Sequence, residues 1–162
     1  MNAQEAALAI SNLRKQGRWE RAIEEGRVAI KQWPTDRGLR LAIAWCLWKR
    51  VTEALKQDLD DHIWLSVRRD LKVVSEWANE AAGPSGYDRY DPLPLLVGTV
   101  MRAAKKENKP SRVVEASAFA EPNRLPDTPS KDFASHRMQW FSYLSWAYEE
   151  SGNWSEIGRA HV

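Results

Sequence analysis

"LRKQGRWERAIEEGRVAIKQWP", Leu13 to Pro34, holds a helix end, a tight turn and a complete second helix. Gly17 has no Cβ, so it suits the left-handed backbone that closes a helix. A new helix starts just after Arg18 and carries Ala22, Ile23, Gly26, Val28, Ala29 and Ile30. Small residues at Ala22, Gly26 and Ala29 let a neighbouring helix approach closely. Pro34 has no backbone N–H to donate and ends the helix. The stretch therefore specifies two helices folded back on each other.

This spacing resembles the tetratricopeptide repeat. That family places a glycine, then small residues five, nine and twelve positions later, then a proline; Gly17, Ala22, Gly26, Ala29 and Pro34 fit all five positions. The preceding helix fits less closely, with Ala6, Ala9, Ile10 and Leu13 where the family prefers an aromatic, Leu, a small residue and Tyr. A better first helix lies near the end of the chain. There Phe141, Leu144, Ser145 and Tyr148 take those positions, and Gly152 takes the turn. Trp154 follows Gly152 as Trp19 follows Gly17, so "QGRWER" and "SGNWSE" read as the same turn.

Two divergent units lie between them. Ile43, Ala44 and Leu47 take first-helix positions of a second unit, and Val51 replaces its turn glycine, so that helix is expected to run to about Lys56. A long helix follows, with Ile63, Trp64, Val67, Leu71, Val74, Trp77, Ala78 and Ala81 as an apolar stripe at helical spacing and Gly83 as its close. This unit is some twenty residues longer than the roughly 34 of the family, which makes regular stacking there questionable. "GPSGYDRYDPLP", Gly83 to Pro94, is a loop by composition. The third unit is expected to pair Leu95–Lys106 with Ser111–Ala120 across a turn at Asn108, with Ser111 as the cap. Glu121 to His136 reads as a second loop, lying against the fold through Leu125 and Phe133. The expected architecture is all-α: about seven helices in stacked antiparallel pairs, a TPR-like α-solenoid over residues 1–155. Its units cover about 3–36, 37–91, 92–125 and 137–155, the last incomplete.

The closing peptide "EIGRAHV", Glu156 to Val162, resembles one reading frame of a widely used short-read sequencing adapter, GAG ATC GGA AGA GCA CAC GTC, whose next triplet is a stop. It is expected to be a non-native tail on the N-terminal part of a longer protein, with the second helix of the last unit missing.

Composition narrows the function classes. The chain has 162 residues, 43% of them hydrophobic, enough for a sizeable core. A net charge of +2 gives no global field toward nucleic acid or anionic membranes. Cys46 is the sole cysteine, so there is no disulfide framework, and its apolar surroundings suit a small buried hydrophobe. No apolar run reaches the roughly 18 residues of a membrane span. The short "AALAI" lacks a basic leader, and a cytoplasmic location is expected.

Catalytic signals are sparse. "DLDDH", with Asp58, Asp60, Asp61 and His62, is the densest set of metal-type ligands, but carboxylates at a helix start cap free N–H groups and offset the dipole. No phosphate loop, dinucleotide glycine motif or nucleophile elbow is present. The expectation is a chain with no catalytic residues, cofactor or metal.

The resemblance implies a concave groove lined by the first helix of each unit. The inward positions are Ser11, Arg14 and Lys15; Leu41, Trp45, Trp48 and Lys49; Arg102, Lys105 and Lys106; and Ser142, Trp146, Glu149 and Glu150. Of these, Arg14, Lys15, Trp45, Trp48, Lys49, Arg102, Lys105 and Trp146 are the candidate partner-binding set. Cations beside tryptophans suit an extended, acidic protein or peptide. Equally, the cations fit a solvated face, and Trp45 and Trp48 fit packing against the long helix. The chaperone-tail form of the family clamps a terminal carboxylate with Lys and Asn; Ala7 and Ser11 stand at two of those positions, which disfavours that role. Two alternatives remain open. "KKENKPSR" and "SVRR", Lys105–Arg112 and Ser66–Arg69, could hold a phosphate backbone while rings stack on bases. The chain could also be the regulatory arm of a lost effector domain.

Overall fold

The computed structural model describes residues 1–127 and 135–153. Trp154, Phe133 and the adapter-like tail lie outside the described residues. Among those described there are seven α-helices, one short 3-10 turn and no strand, only an isolated bridge between Gly83 and Gly86.

The first pair is α1 (Ala3–Lys15) and α2 (Trp19–Gln32). Asn2 and Glu5 form a capping box at the start of α1, each side chain bonded to the other's backbone N–H. At its end Gly17 takes φ +77°, the Arg18 N–H reaches the Leu13 carbonyl at 2.9 Å and the Gly17 N–H reaches Arg14 at 3.0 Å. These two bonds define a Schellman turn. The same turn recurs at Asn108 (φ 55°), with Lys109 bonded to Ala104 and Asn108 to Lys105 at 2.9 Å each. It recurs again at Gly152 (φ 70°), with Asn153 bonded to Tyr148 at 2.8 Å and Gly152 to Glu149 at 3.0 Å. The three turn positions picked out by the repeat spacing thus share one backbone geometry.

The second pair is α3 (Arg37–Ala54) and α4 (Asp61–Ala81). Asp36 caps α3 by accepting from the Leu39 N–H at 2.9 Å. Val51 is buried inside α3, so the helix passes the turn position, as its residue type predicts, and ends at Ala54. Asp60 caps α4 through the Ile63 N–H at 2.8 Å. Trp64, Val67, Leu71, Val74 and Ala78 are buried along the expected stripe, whereas Ala81 at its end is exposed.

The third pair is α5 (Leu93–Lys106) and α6 (Pro110–Ser117), followed by α7 (His136–Glu150). Three boundaries of this unit differ from the sequence expectation. Helix α5 starts two residues early because the Asp91 carboxylate accepts from the Leu93 N–H at 2.9 Å and Pro94 tolerates the first turn. Helix α6 starts at Pro110, so Ser111 is not its cap, and it ends at Ser117 rather than Ala120.

Packing follows two local sets. Helices α1, α2 and α3 pack mutually, and α5, α6 and α7 do the same, so the first helices α1 and α3 lie together, as do α5 and α7. Between the sets, α4 packs well on α3 and only lightly on α5, and α3 has no comparable contact with α5. The junction is held by side chains instead. Arg112, at the start of α6, is 8% exposed; it bonds to the Leu59 carbonyl and to Asp61, and stacks over Trp64 at 5.5 Å. The Trp64 indole N–H donates to Glu115 at 2.9 Å, and Glu107 accepts from the Leu59 N–H at 2.9 Å. The aspartates of "DLDDH" therefore have local work: Asp60 caps α4 and Asp61 anchors Arg112.

The 83–92 loop is pinned to the 3-10 turn at Pro122–Arg124. The Tyr87 hydroxyl donates to Asn79 at 2.5 Å and accepts from the Glu121 N–H at 2.8 Å, and burial pushes its pKa upward. Gly86 sits at φ +99°, where a Cβ would come within 2.6 Å of the Arg124 carbonyl oxygen. Leu125 is buried, as expected for an anchor of the second loop, which begins at Glu121.

Candidate functional site

The candidate residues lie on two pairs of packed helices, α1 with α3 and α5 with α7, one strip on each. On α1 and α3, Trp45 and Trp48 meet edge to face with ring centroids 5.4 Å apart. Both are half-buried, and the Trp45 indole N–H donates to the Tyr90 carbonyl at 2.8 Å. Trp45 is therefore an anchor for the 83–92 loop as well as a wall of the strip. Lys49 pairs with Glu53 at 3.0 Å one turn on. Glu53 also takes Lys56 at 2.9 Å, and the Lys56 and then the Lys49 hydrogen bond hold its carboxyl below the usual range. Arg14 is half-buried and Lys15 exposed. The Arg14 Nε–H and the Trp48 indole N–H are buried without a partner among the described residues. Leu41 lies on α3 beside a cleft at the 83–92 loop, and Ser11 is half-buried.

The second strip is on α5 and α7. The Lys105 ammonium lies 5.7 Å from the Tyr143 ring centroid and 5.6 Å from that of Trp146. A cation placed over ring faces is held by their quadrupoles. Arg102 and Lys106 are exposed on α5; Ser142, Glu149 and Glu150 are exposed on α7. Among the described residues no hydrogen bond, ion pair or ring contact joins the α5/α7 strip to the α1/α3 strip. Tyr143 is the strip member the sequence reading missed; it lies one position after Ser142 and two before Ser145, between positions that reading used.

Cys46 is fully buried, and loss of solvation drives its thiol up to about 11, offset only partly by the nearby Arg14 charge. The thiol therefore stays protonated at neutral pH, and only the thiolate reacts. Iodoacetamide at pH 8 is expected to leave native Cys46 unmodified while alkylating it in denaturant. Rapid labelling of the native chain, read by mass spectrometry, would contradict its burial.

No family model matches the chain, and comparisons with curated proteins and with solved structures return no match. No helix among the described residues is long and apolar enough to cross a membrane.

Proposed function

We propose that this chain is a tetratricopeptide-like interaction scaffold that holds an acidic segment of a partner protein along its first helices. The observation carrying this reading is the side-by-side packing of α1 with α3 and of α5 with α7, which lines up cations and aromatic rings in two strips. The recurrence of one Schellman turn after α1, α5 and α7 supports the repeat resemblance independently. The rings supply contact area, and Lys15, Arg102 and Lys105 supply direction by charge.

The test is selection from a library of acidic peptides, followed by fluorescence anisotropy with the selected sequence. Lys105→Glu and Trp146→Ala are each expected to weaken binding at least tenfold; circular dichroism melting stays nearly unchanged for Lys105→Glu and falls for Trp146→Ala, whose ring packs against the core. Binding that survives both substitutions refutes the groove. A single-stranded oligonucleotide serves as the counter-probe. If it binds more tightly than any peptide, with affinity falling steeply as salt rises, nucleic-acid association replaces the peptide reading.

A further inference from the structure

A separate cleft opens where α2 and α4 both lie on α3. Its volume is about 200 Å³. Three helical rows build it: Ile23, Arg27 and Ile30 from α2; Ile43, Leu47 and Arg50 from α3; and Arg69, Asp70, Val73 and Trp77 from α4. Each of the three helices contributes apolar residues and one arginine to the lining. Ile23, Ile43 and Leu47 are buried and form the floor, while Ile30, Val73 and Trp77 are half-buried walls. Trp77 is braced by Arg40, whose guanidinium lies 5.8 Å from the ring centroid and is itself paired with Glu80 at 3.0 Å.

Charge around this floor is unbalanced. Among the described residues Asp70 is the one acid that lines the cleft, and both its oxygens are taken by Arg50 at 2.7 Å each. Glu20 adds its charge from α2 but acts on Arg50 as well. Arg27 and Arg69 are exposed and have no ion pair or hydrogen bond among the described residues. The mouth thus carries two uncompensated guanidinium groups beside an apolar pocket. Guanidinium is weakly hydrated and matches carboxylate in a fork, so it is the cation best suited to a partly desolvated contact.

Size decides between occupants. A cavity of about 150 Å³ is enough for a benzene ring, whereas complete small-molecule ligands fill about 300–1,000 Å³. The cleft matches one large side chain. We propose that it is a second protein-docking site, taking one aromatic or long aliphatic side chain of a partner segment whose flanking Asp or Glu residues pair with Arg27 and Arg69. Its α3 members are Ile43, Leu47 and Arg50, not the Trp45, Trp48 and Lys49 of the first strip, and Lys105 and Trp146 do not line it.

The experiment uses the full chain and a displayed peptide library with a fixed central Phe, Leu or Trp flanked by randomised acidic and neutral positions. Selected peptides are titrated by anisotropy, and their site is read from isoleucine methyl NMR. The expected result is a binder that shifts the Ile23, Ile30 and Ile43 methyls. It should lose at least tenfold in affinity with Arg27→Glu or Arg69→Glu, and with Ala at its own central position, while Lys105→Glu leaves it unchanged. Four results would overturn the proposal. They are no binder from the library, a binder insensitive to both arginine changes, 3-phenylpropionate alone binding as tightly as the peptide, or an oligonucleotide displacing it at lower concentration. Loss of binding in the Lys105 variant alone would implicate the first-helix groove instead.

Discussion

Asp70→Ala is expected to lower folding stability by about 3–5 kcal/mol, the usual consequence of removing one partner of a buried ion pair. Asp70 is only 3% exposed and accepts both bonds of the Arg50 fork, Nε–H to Oδ2 and Nη2–H to Oδ1, each at 2.7 Å. These bonds hold the Arg50 guanidinium more firmly protonated than usual. Without the carboxylate, the Arg50 charge would sit between α3 and α4 with Glu20 as its remaining counter-charge. The Arg50 side chain retains 21% exposure, and some hydration through that opening places the loss toward the lower end of the range. Even so, it is a large share of a typical 5–15 kcal/mol total. The pair itself is not a large net stabiliser, because both groups were desolvated to form it. Arg50→Met combined with Asp70→Leu should therefore recover most of the loss. Chemical denaturation of the two variants measures both quantities. A single variant within about 0.5 kcal/mol of the parent would mean that the pair is as free as a surface ion pair.

How legible was this fold? Helix α2 starts just after Arg18, as expected, and ends two residues before Pro34, because Gly17 and Pro34 punctuate it through backbone chemistry alone. Asn108 and Gly152 were readable for the same reason: few residues tolerate positive φ. The stripe of α4 was legible because one face is apolar, but its buried Asp70 was not. A carboxylate at a helical position reads as solvated until its partner is known, and Arg50 lies twenty residues earlier on another helix. Arg112 was hidden likewise, since its partners Leu59 and Asp61 sit about fifty residues away. In α7 the difficulty was excess: Trp140, Phe141, Tyr143, Trp146 and Tyr148 surround the helix, so no single face stands out. The packing buries Trp140, which the repeat pattern left unassigned, along with Leu144 and Ala147. As for the candidate residues, Trp45 and Trp48 share a face of α3 by their three-residue spacing, whereas Lys105 meets Trp146 only through the packing of α5 on α7, which no local spacing gives. The hydrogen bond from Trp45 to Tyr90 depends on how the 83–92 loop folds back, which composition does not encode.

Gly26→Val should cost about 3 kcal/mol, near the upper range for forcing methyl groups into a filled interface. Glycine inside a helix is itself unfavourable, by about 0.8–1 kcal/mol against alanine, so its place in the middle of α2 needs a compensating contact. That contact is the approach of α3. A Cβ at Gly26 would lie 2.7 Å from Ile43 Cγ1, 3.2 Å from Ile43 Cδ1 and 3.6 Å from Ile10 Cδ1. Ile43 and Ile10 are both buried, and Ile43 is β-branched, so its Cγ1 can retreat only by changing rotamer or moving α3. Alanine would set its helix-propensity gain of about 1 kcal/mol against that one displacement. Valine adds two further carbons and stiffens the backbone, with nothing to offset them. For a chain of this size, 3 kcal/mol corresponds to a melting temperature lower by about 6–12 °C. The diagnostic is the double variant: Ile43→Ala opens space opposite Gly26, so Gly26→Val/Ile43→Ala should be more stable than the sum of the two single losses predicts. Strict additivity in that cycle would show that Gly26 and Ile43 do not meet. It would also undo the account of why this helix, alone among the seven, carries a buried glycine at its centre.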